Sequence, residues 1–491
     1  MLTTAFLYFC FMKKNALLLL ALIVSVSIMA QDKWDLRRCV EYAMKNNISV
    51  KQADVQARIA ALQAKQAKLN QYPTASFSSN LGVQFGRSID PTSNLYTTTK
   101  LFYNQFQLQG GAQLYNFGRL KNLRQSLELN AKAALFDVDK AANDVALNVS
   151  LYYLQLLASN EQIHIVEVQI GQSKAQYDNT KRRVEAGALP ELNLVQLEAQ
   201  LATDSTNLIT AKATYEQNMI SLKAMLNIDM ASNFAIDTPS IDKIPLEPLA
   251  ELQPEYVYNL AKNTYPDQKA AEMRVKAAEK NILASKAAMY PSITGFYSLG
   301  SAYNNQAQQV IDTGFTSVPA QYFGDVVVGG VPYKVTSLPY SSPYPVFGKT
   351  RYFKQLDNNF SQSVGIGINI PIFNNGVARI GYQRSKLDLR NSQLQQELAN
   401  QTLKTNIYNA YNNAISSFQK YIGSLKSVAS AQKAYDFAAK RYEVGLLSTI
   451  DLLITQNTLL TAKLTQLSNQ YDYVFKMKVL EFYKGQGVRL D

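Results

Sequence analysis

The side chains that most often do chemistry are scarce in this chain. His164 is the only histidine among 491 residues, and Cys10 and Cys39 are the only cysteines. One imidazole and so few thiols cannot assemble a tetrahedral metal site. Cys10 falls in a stretch expected to be removed, so no internal disulfide can form. His164 lies on a helical stretch and reads as a packed or surface side chain. No nucleophile–base arrangement is found, and the glycines of 363–367 alternate as small residues of a strand rather than cradling a phosphate. The expectation is no catalysis, no metal and no cofactor. The polar residues with a definite spacing are Ser448 and Asp451, three apart, which read as a capping box opening a helix.

That pair sits in a segment that occurs twice, as RRVEAGALPELNLVQ ending at Gln196 and KRYEVGLLSTIDLLI ending at Ile454. Gly187 and Gly445 fall in step 258 residues apart, with Arg183/Arg441, Glu185/Glu443, Leu189/Leu447 and Leu192/Ile450. Each glycine suits the left-handed conformation that closes a helix, and the preceding arginines suit the negative end of the helix dipole. Pro190 fits a first helical position after one turn, as the Ser448 box does after the other. The chain therefore holds two helical hairpins.

A second pair of marks, QLYNFGRLKNLRQSLEL and NIPIFNNGVARIGYQRSKL, aligns Gly118 with Gly376 at the same 258-residue offset. The arm from mark to turn is thus 69 residues in both halves. A loop needs no such fixed length, whereas a rigid helix does, and at 1.5 Å per residue it would run about 100 Å. Val138, Ala142, Val145, Val149, Tyr152 and Leu156 step by four and three, as do Leu403, Ile407, Ala410 and Ala414. Beyond the turns the expected seams are Leu192, Val195, Ala199, Ala202, Thr206, Ile209 and Ala213, and Ile450, Leu453, Asn457, Leu460, Leu464, Leu467 and Tyr471. Each half opens with a shorter helix stopped by Tyr-Pro, at Pro73 and Pro291. Two shorter helices stacked end to end would flank each long one, giving a helical cylinder.

After each proline the period changes to two. Phe77, Leu81, Val83 and Phe85 alternate with small or polar residues, as do Phe102, Phe106, Leu108, Ala112 and Leu114. Ile293, Tyr297 and Leu299, then Val364, Ile366, Ile368, Ile370 and Ile372, repeat the device. Strands apolar on one face and amide-rich or small on the other suit a barrel with lipid outside and water inside. Four strands cannot close a barrel, and a sheet in lipid cannot leave its edges bare, so several copies must combine; strand count leaves two, three or more open. The second interstrand stretch, roughly 301–359, is 40 residues longer than the first and rich in Tyr, Gly, Pro and Ser. It is expected as a loop on the outer rim.

At the amino terminus, Lys13 and Lys14 precede an apolar run from Ala16 to Met29, which reads as an export signal cut after Ala30. No later run is apolar enough to cross a bilayer as a helix. Without the two lysines the formal charge falls from +12 to +10, spread without the clustering that nucleic-acid binding requires.

The twofold repeat, the junctions YNFGRL and IPIFNNGVARI and the turns EAGALPELNL and EVGLLSTIDLL resemble the TolC-like outer-membrane efflux proteins, over essentially the whole mature chain. The resemblance implies a mixed α and β membrane protein: a homotrimer with a shared transmembrane β-barrel in outer-membrane lipid and a periplasmic α-helical barrel of long antiparallel hairpins. It implies that Gly187, Ala188, Leu189, Gly445, Leu446, Leu447 and Ser448 meet a periplasmic adaptor linked to an inner-membrane pump. It also implies that Asp451 lines the closed end of the tunnel, with Asn193 as its first-half counterpart and Ile454 where a second acidic residue can occur. The implied function is the exit duct of a tripartite efflux or type I secretion system. A periplasmic helical scaffold without a pore is the alternative, and the substrate stays open between small molecules and proteins.

The expected layout is a leader over 1–30, an opening helix over 31–72, strands over 73–117 and a hairpin over 118–228. A joining segment over 229–253 follows, then an opening helix over 254–290, strands and a long extracellular loop over 291–375, a hairpin over 376–486 and a tail over 487–491. Circular dichroism of the purified mature chain is expected to show sheet beside dominant helix. A soluble monomer with helix alone would overturn the membrane reading.

Overall fold

The structure is a computed structural model that describes residues 33–89, 94–239, 241 and 244–485; the expected leader and the tail lie outside them. The helices come in matched pairs. α1 (Leu36–Asn46) and α2 (Ile48–Leu69) precede the strands β1 (Thr74–Ile89) and β2 (Tyr96–Tyr115), which lead into α3 (Arg119–Glu185) and α4 (Glu191–Leu226). α5 (Pro254–Thr264), α6 (Pro266–Ala287) and β3 (Ser292–Asn304) open the second half. It closes with β8 (Ser361–Asn369), α8 (Val377–Glu443) and α9 (Thr449–Lys484). α3 and α8 each have 67 residues, α4 and α9 each 36, α2 and α6 each 22, and α1 and α5 each 11. Equal lengths in both halves are what a duplicated, rigid architecture requires.

The opening helices, expected as continuous, are each broken. Asn47 ends α1, and its side chain accepts from the Ser49 amide at 2.8 Å while donating to the Met225 carbonyl at 2.8 Å. In the second half Tyr265 closes α5, and Pro266, which lacks the amide a continuing helix needs, starts α6. The return helices end at these breaks. Asn227, left-handed at φ 56°, donates to the Asn46 carbonyl at 3.3 Å, and the Tyr265 ring meets Phe482 and Tyr483.

Among the described residues the chain divides into two compact units, one of 33–64, 126–279 and 387–485 and one of 65–125 and 280–386. In the first, the expected α3 and α8 positions are core. Ala142, Val145, Val149 and Leu156 are buried with Leu36, Cys39 and Leu226, and Leu403, Ile407, Ala410 and Ala414 with Val257, Met477 and Leu480. The joining segment packs on these clusters. Ala235 accepts from the Trp34 amide at 3.0 Å, and Tyr153 donates to the Asp237 carbonyl at 2.6 Å. Further on, Lys478, buried and paired with Glu481 at 2.8 Å, donates to the Pro245 carbonyl, and Glu481 accepts from the Glu247 amide at 2.9 Å.

The expected seam of α4 is not the buried one. Leu192, Val195 and Ile209 are 64%, 52% and 69% exposed, whereas Leu197, Gln200, Asp204, Ala211, Met219, Leu222 and Leu226 are buried. On α9 the buried stripe runs one residue earlier than expected at Thr449, Leu452, Gln456 and Leu459, and coincides with expectation at Leu460, Leu467 and Tyr471. A wall helix with neighbours on both sides has more than one apolar stripe, so periodicity alone does not say which stripe faces inside its own chain.

In the second unit β1, β2, β3 and β8 form one antiparallel sheet in that order. Phe77 faces Leu108 and Leu108 faces Leu299; Ala112 faces Gly295 and Gly295 faces Ile366. The apolar alternation of the strands therefore merges into one face, on which Phe77, Leu81, Phe85, Val364, Ile366 and Ile368 are all exposed. β8 ends at Asn369, so Ile370 and Ile372 lie beyond the strand. Each passage into a long helix uses two consecutive left-handed residues, Phe117 and Gly118, then Asn375 and Gly376.

The expected loop at 301–359 is instead folded. β4 (Gln308–Val318) pairs with β7 (Tyr340–Lys349), β5 (Tyr322–Val328) pairs with β6 (Val331–Thr336), and the short helix α7 (Tyr352–Asn358) follows. The cause is local: Gly329 and Gly330, both at positive φ, make a two-residue hairpin turn between Val and Tyr-rich runs.

Cys39 is wholly buried in the α1–α3 core, and burial, aided by Asp35, pushes its thiol up to about 12. A raised value keeps the thiol neutral at ordinary pH, and the thiolate is the reactive form. The folded mature chain is expected to leave a disulfide thiol reagent unreacted at pH 8 and to release one thiol per chain after denaturation. Fast reaction in the native state would contradict this packing, and two thiols after denaturation would show the leader retained.

Candidate functional site

The two turns singled out in the sequence have one geometry. Gly187 and Gly445 sit at φ 73° and 77°. In each, the glycine amide donates three residues back, to Val184 at 2.9 Å or Tyr442 at 3.0 Å. The next amide donates five back, Ala188 to Arg183 and Leu446 to Arg441, both at 2.8 Å. This double bond satisfies the last carbonyls of α3 and α8.

The helix starts differ. Pro190 is the cap residue of α4, one position before the expected first helical place, and gives no side-chain cap. Ser448 caps α9 as expected: its hydroxyl accepts from the Asp451 amide at 3.1 Å and donates to the Asp451 carboxylate at 2.7 Å. Leu447, just before the cap, packs with Tyr442 and Leu452, the hydrophobic staple that sets the entry angle of α9. Leu447 and Leu189 are therefore half-buried, whereas Gly187, Ala188, Gly445, Leu446 and Ser448 are exposed. Asn193 is half-buried; Asp451 is exposed, and Ile454, one turn further on α9, is 58% exposed.

The structure brings the two turns side by side through polar side chains that periodicity did not single out as a group. Thr180 of α3 meets the Tyr442 hydroxyl of α8 at 3.1 Å, and Gln176 donates to the Tyr435 hydroxyl at 2.8 Å. Burial pushes the Tyr435 phenol up, against the lowering effect of the Gln176 hydrogen bond, so it stays neutral. Further along, Asp204 of α4 is wholly buried and accepts from Ser173 of α3 at 2.5 Å and from Gln200 at 2.8 Å. Ser173 in turn accepts from Gln456 of α9 at 3.0 Å, and Gln200 and Asn457 exchange amide hydrogen bonds at 3.2 Å in both directions. The available signal was the spacing Leu197, Gln200, Asp204, a three–four step that continues a buried stripe through polar residues.

Among the described residues no group of three or more His, Cys, Asp or Glu is placed to hold a metal, and no helix is long and apolar enough to cross a membrane. His164 lies on α3 and takes no part in the arrangement.

Duplicated helical hairpins in one unit and a sheet with one exposed apolar face in the other make a mixed α and β fold with the features of a membrane protein. Comparison with known proteins agrees. The profile of the family described as outer membrane efflux protein matches residues 40–227 and 257–485. The chain is 22% identical over 452 residues to the outer membrane efflux protein BepC of Brucella suis biovar 1, covering 88% of this chain and 81% of that one. It is 20% identical over 446 residues to toxin and drug export protein A of Aggregatibacter actinomycetemcomitans, covering 89% and 83%. In fold it resembles crystal structures of CusC, with a TM-score of 0.72 and 18% identity over 92% of both chains. It also resembles the outer membrane protein VceC of Vibrio cholerae, with a TM-score of 0.68 and 14% identity over 92% of this chain and 97% of that one. The chain belongs to the outer membrane efflux protein family, whose members are outer-membrane export channels rather than enzymes.

Replacing Ser448 by alanine removes the α9 cap and is expected to cost about 1 kcal/mol locally. Hydrogen exchange of the Asp451 and Leu452 amides is expected to quicken several-fold while α8 and the α9 core stay protected; unchanged exchange at the turn would refute the capping role.

Proposed function

We propose that three copies of this chain close one barrel in the outer membrane and conduct substrate passively from a periplasmic adaptor and an inner-membrane pump to the exterior. The observation that carries this reading is the four-stranded sheet. Its outer strands β1 and β8 each present one edge without a strand partner among the described residues, and one face exposes large apolar side chains. Lipid outside the sheet and sister copies at both edges satisfy these two features together. Three copies of four strands make a barrel within the known size range. A scaffold without a pore leaves the apolar face of β1, β2, β3 and β8 unexplained.

In this reading the turns at Gly187, Ala188, Leu189 and at Gly445, Leu446, Leu447 and Ser448 receive the adaptor. Leu446, 68% exposed, is the anchor that the geometry offers, while Leu447 acts from beneath by holding the turn. Asp451 and Asn193 stand just past the turns and form the narrow end of the passage. With Asn193 neutral and Ile454 apolar, a single acidic ring of Asp451 side chains sets the charge there. The energy for export belongs to the pump. The protein named for toxin and drug export supports neither small molecules nor proteins alone as cargo.

The purified mature chain is expected to run as a heat-modifiable oligomer of three and to give stepwise conductance in planar bilayers; absence of both would defeat the channel reading. Gly445→Pro removes the amide that bonds to Tyr442 and fixes φ near −65°, far from the 77° found here. That variant is expected to keep the assembled barrel in the outer membrane and lose export at least tenfold in a dye-efflux assay. Normal efflux would show that the turn has no docking role.

A further inference from the structure

The four helix ends that adjoin the sheet carry one sign of charge. The last turns of α2, from Lys65, and of α6, from Lys280, belong to the same compact unit as β1, β2, β3 and β8, as do the first turns of α3, to Gln125, and of α8, to Lys386. Together these turns contain ten lysines and arginines and no aspartate or glutamate. Lys65, Lys68, Lys121, Lys286, Arg379 and Lys386 are exposed, and among the described residues none of the six pairs with a carboxylate. Acids on α2 and α6 lie further from the strands, where Asp54 pairs with Arg58 and Glu272 with Lys276. Like charges gathered without counter-charges repel one another, so this end of the unit favours an anionic neighbour.

Both halves of the duplication keep the pattern. At the 218-residue offset that relates Pro73 to Pro291, Lys68 corresponds to Lys286, and at the 258-residue offset Lys121 corresponds to Arg379. On α8, Arg379 and Lys386 are seven apart and share one face, away from the buried Ser385 and from the exposed apolar Val377 and Ile380. Where strands pass into helices stand Tyr72, Tyr115, Phe117, Tyr290 and Phe373, from 43% to 84% exposed. They obey the same offsets, Tyr72 with Tyr290 and Tyr115 with Phe373, and the Phe117 ring lies 4.9 Å from both Tyr115 and Tyr290. Aromatic rings gather at the boundary between hydrocarbon and water, and basic side chains just beyond it meet anionic headgroups. The insertion between β3 and β8 carries both signs instead, and there Lys354 pairs with Asp357 at 3.0 Å. The unbalanced charge is therefore confined to the helix ends.

We propose that Lys65, Lys68, Lys121, Lys286, Arg379 and Lys386 form a collar that binds the acidic phospholipid headgroups of the leaflet nearest the helices. The order along the chain, apolar sheet face, then rings, then cations, is the order of hydrocarbon, interface and headgroup in a leaflet. Ammonium and guanidinium groups form charge-assisted hydrogen bonds to phosphate oxygens, and their long stems can lie along the acyl boundary while the heads reach those oxygens. A zwitterionic headgroup cancels most of this attraction, whereas an acidic one keeps it, worth about fivefold in binding for each basic side chain near the surface. The inference rests on the membrane reading above and adds to it the class of lipid and the side chains that select it.

The test places the full mature chain, as the purified oligomer, in lipid nanodiscs of phosphatidylethanolamine alone or mixed with phosphatidylglycerol. The oligomer's dissociation temperature is measured, with the phosphatidylglycerol that stays bound on return to detergent. The parent is expected to dissociate several degrees higher in the mixed discs, to lose that difference in high salt, and to retain phosphatidylglycerol several-fold above its share of the disc. The variant with Lys68→Gln, Lys121→Gln, Lys286→Gln and Arg379→Gln is expected to show none of these effects while matching the parent in phosphatidylethanolamine alone. Arg379→Lys, which keeps the charge, is expected to behave as the parent. Where the fourfold variant does not assemble, Lys68→Gln with Lys286→Gln is expected to lose a smaller part of the retention. A parent without preference for phosphatidylglycerol would overturn the proposal, as would undiminished preference in an assembled variant. An equal rise from inorganic phosphate added to phosphatidylethanolamine discs would overturn it by assigning the collar to the free ion. An oligomer that prefers phosphatidylglycerol but conducts nothing in planar bilayers would remove the channel reading and leave the collar standing. A chain that enters no disc would remove both.

Discussion

A backbone in lipid has no water to bond its amides and carbonyls, and the rest of this molecule follows from that constraint. β1 to β2 to β3 to β8 pair with one another, which leaves two edges without a strand partner and one apolar face exposed among the described residues. Helices satisfy their own backbone, so the constraint does not reach α3 and α8. They can grow to 67 residues because their limit is side-chain packing rather than strand closure. Length in the helices and incompleteness in the sheet are therefore two outcomes of one rule.

The duplication lets each half be compared with the other. Helix lengths match to the residue, and both turns and both strand-to-helix junctions use left-handed residues at corresponding places. The departures mark positions where the halves have different tasks. Lys223 near the end of α4 corresponds to Glu481 near the end of α9. Lys223 donates to the Met230 and Ser232 carbonyls as the joining segment begins, and Glu481 accepts from the Glu247 amide near its close. One position, with opposite charges, ties down the two ends of a segment that occurs only once. The insertion between β3 and β8 is another departure, and it is folded because its own turn chemistry and alternation suffice to pair it.

The sequence made the large features legible because they are written in spacing. Arms of 69 residues became helices of 67, and the alternating strands carry one common apolar face. Breaks were harder to read: Asn47 interrupts a helix by capping both its neighbours, a role that depends on Met225 being at hand from 178 residues away. The β5–β6 hairpin was written plainly in VVVGGVPY but lay inside a stretch whose composition read as loop. Which stripe of α4 would be buried was not legible, since Leu192, Val195 and Ile209 make as good a period as Leu197, Gln200 and Asp204. Hydrophobicity favoured the stripe that this chain leaves exposed. The turn glycines were legible in full, because a left-handed residue after arginines has few other uses.

That wrong choice of stripe has a physical meaning of its own. A large apolar residue buried against its own chain contributes about 1.5–3 kcal/mol, whereas a hydrogen bond exchanged with water contributes about 0.5–1.5 kcal/mol net. Leu467, Tyr471 and Val474 place the larger contribution in the middle of the hairpin seam, and Gln456 and Asn457 place the smaller one toward the turns. The apolar residues Leu192, Val195 and Ile209 of α4 are exposed and add nothing to the turn-proximal seam.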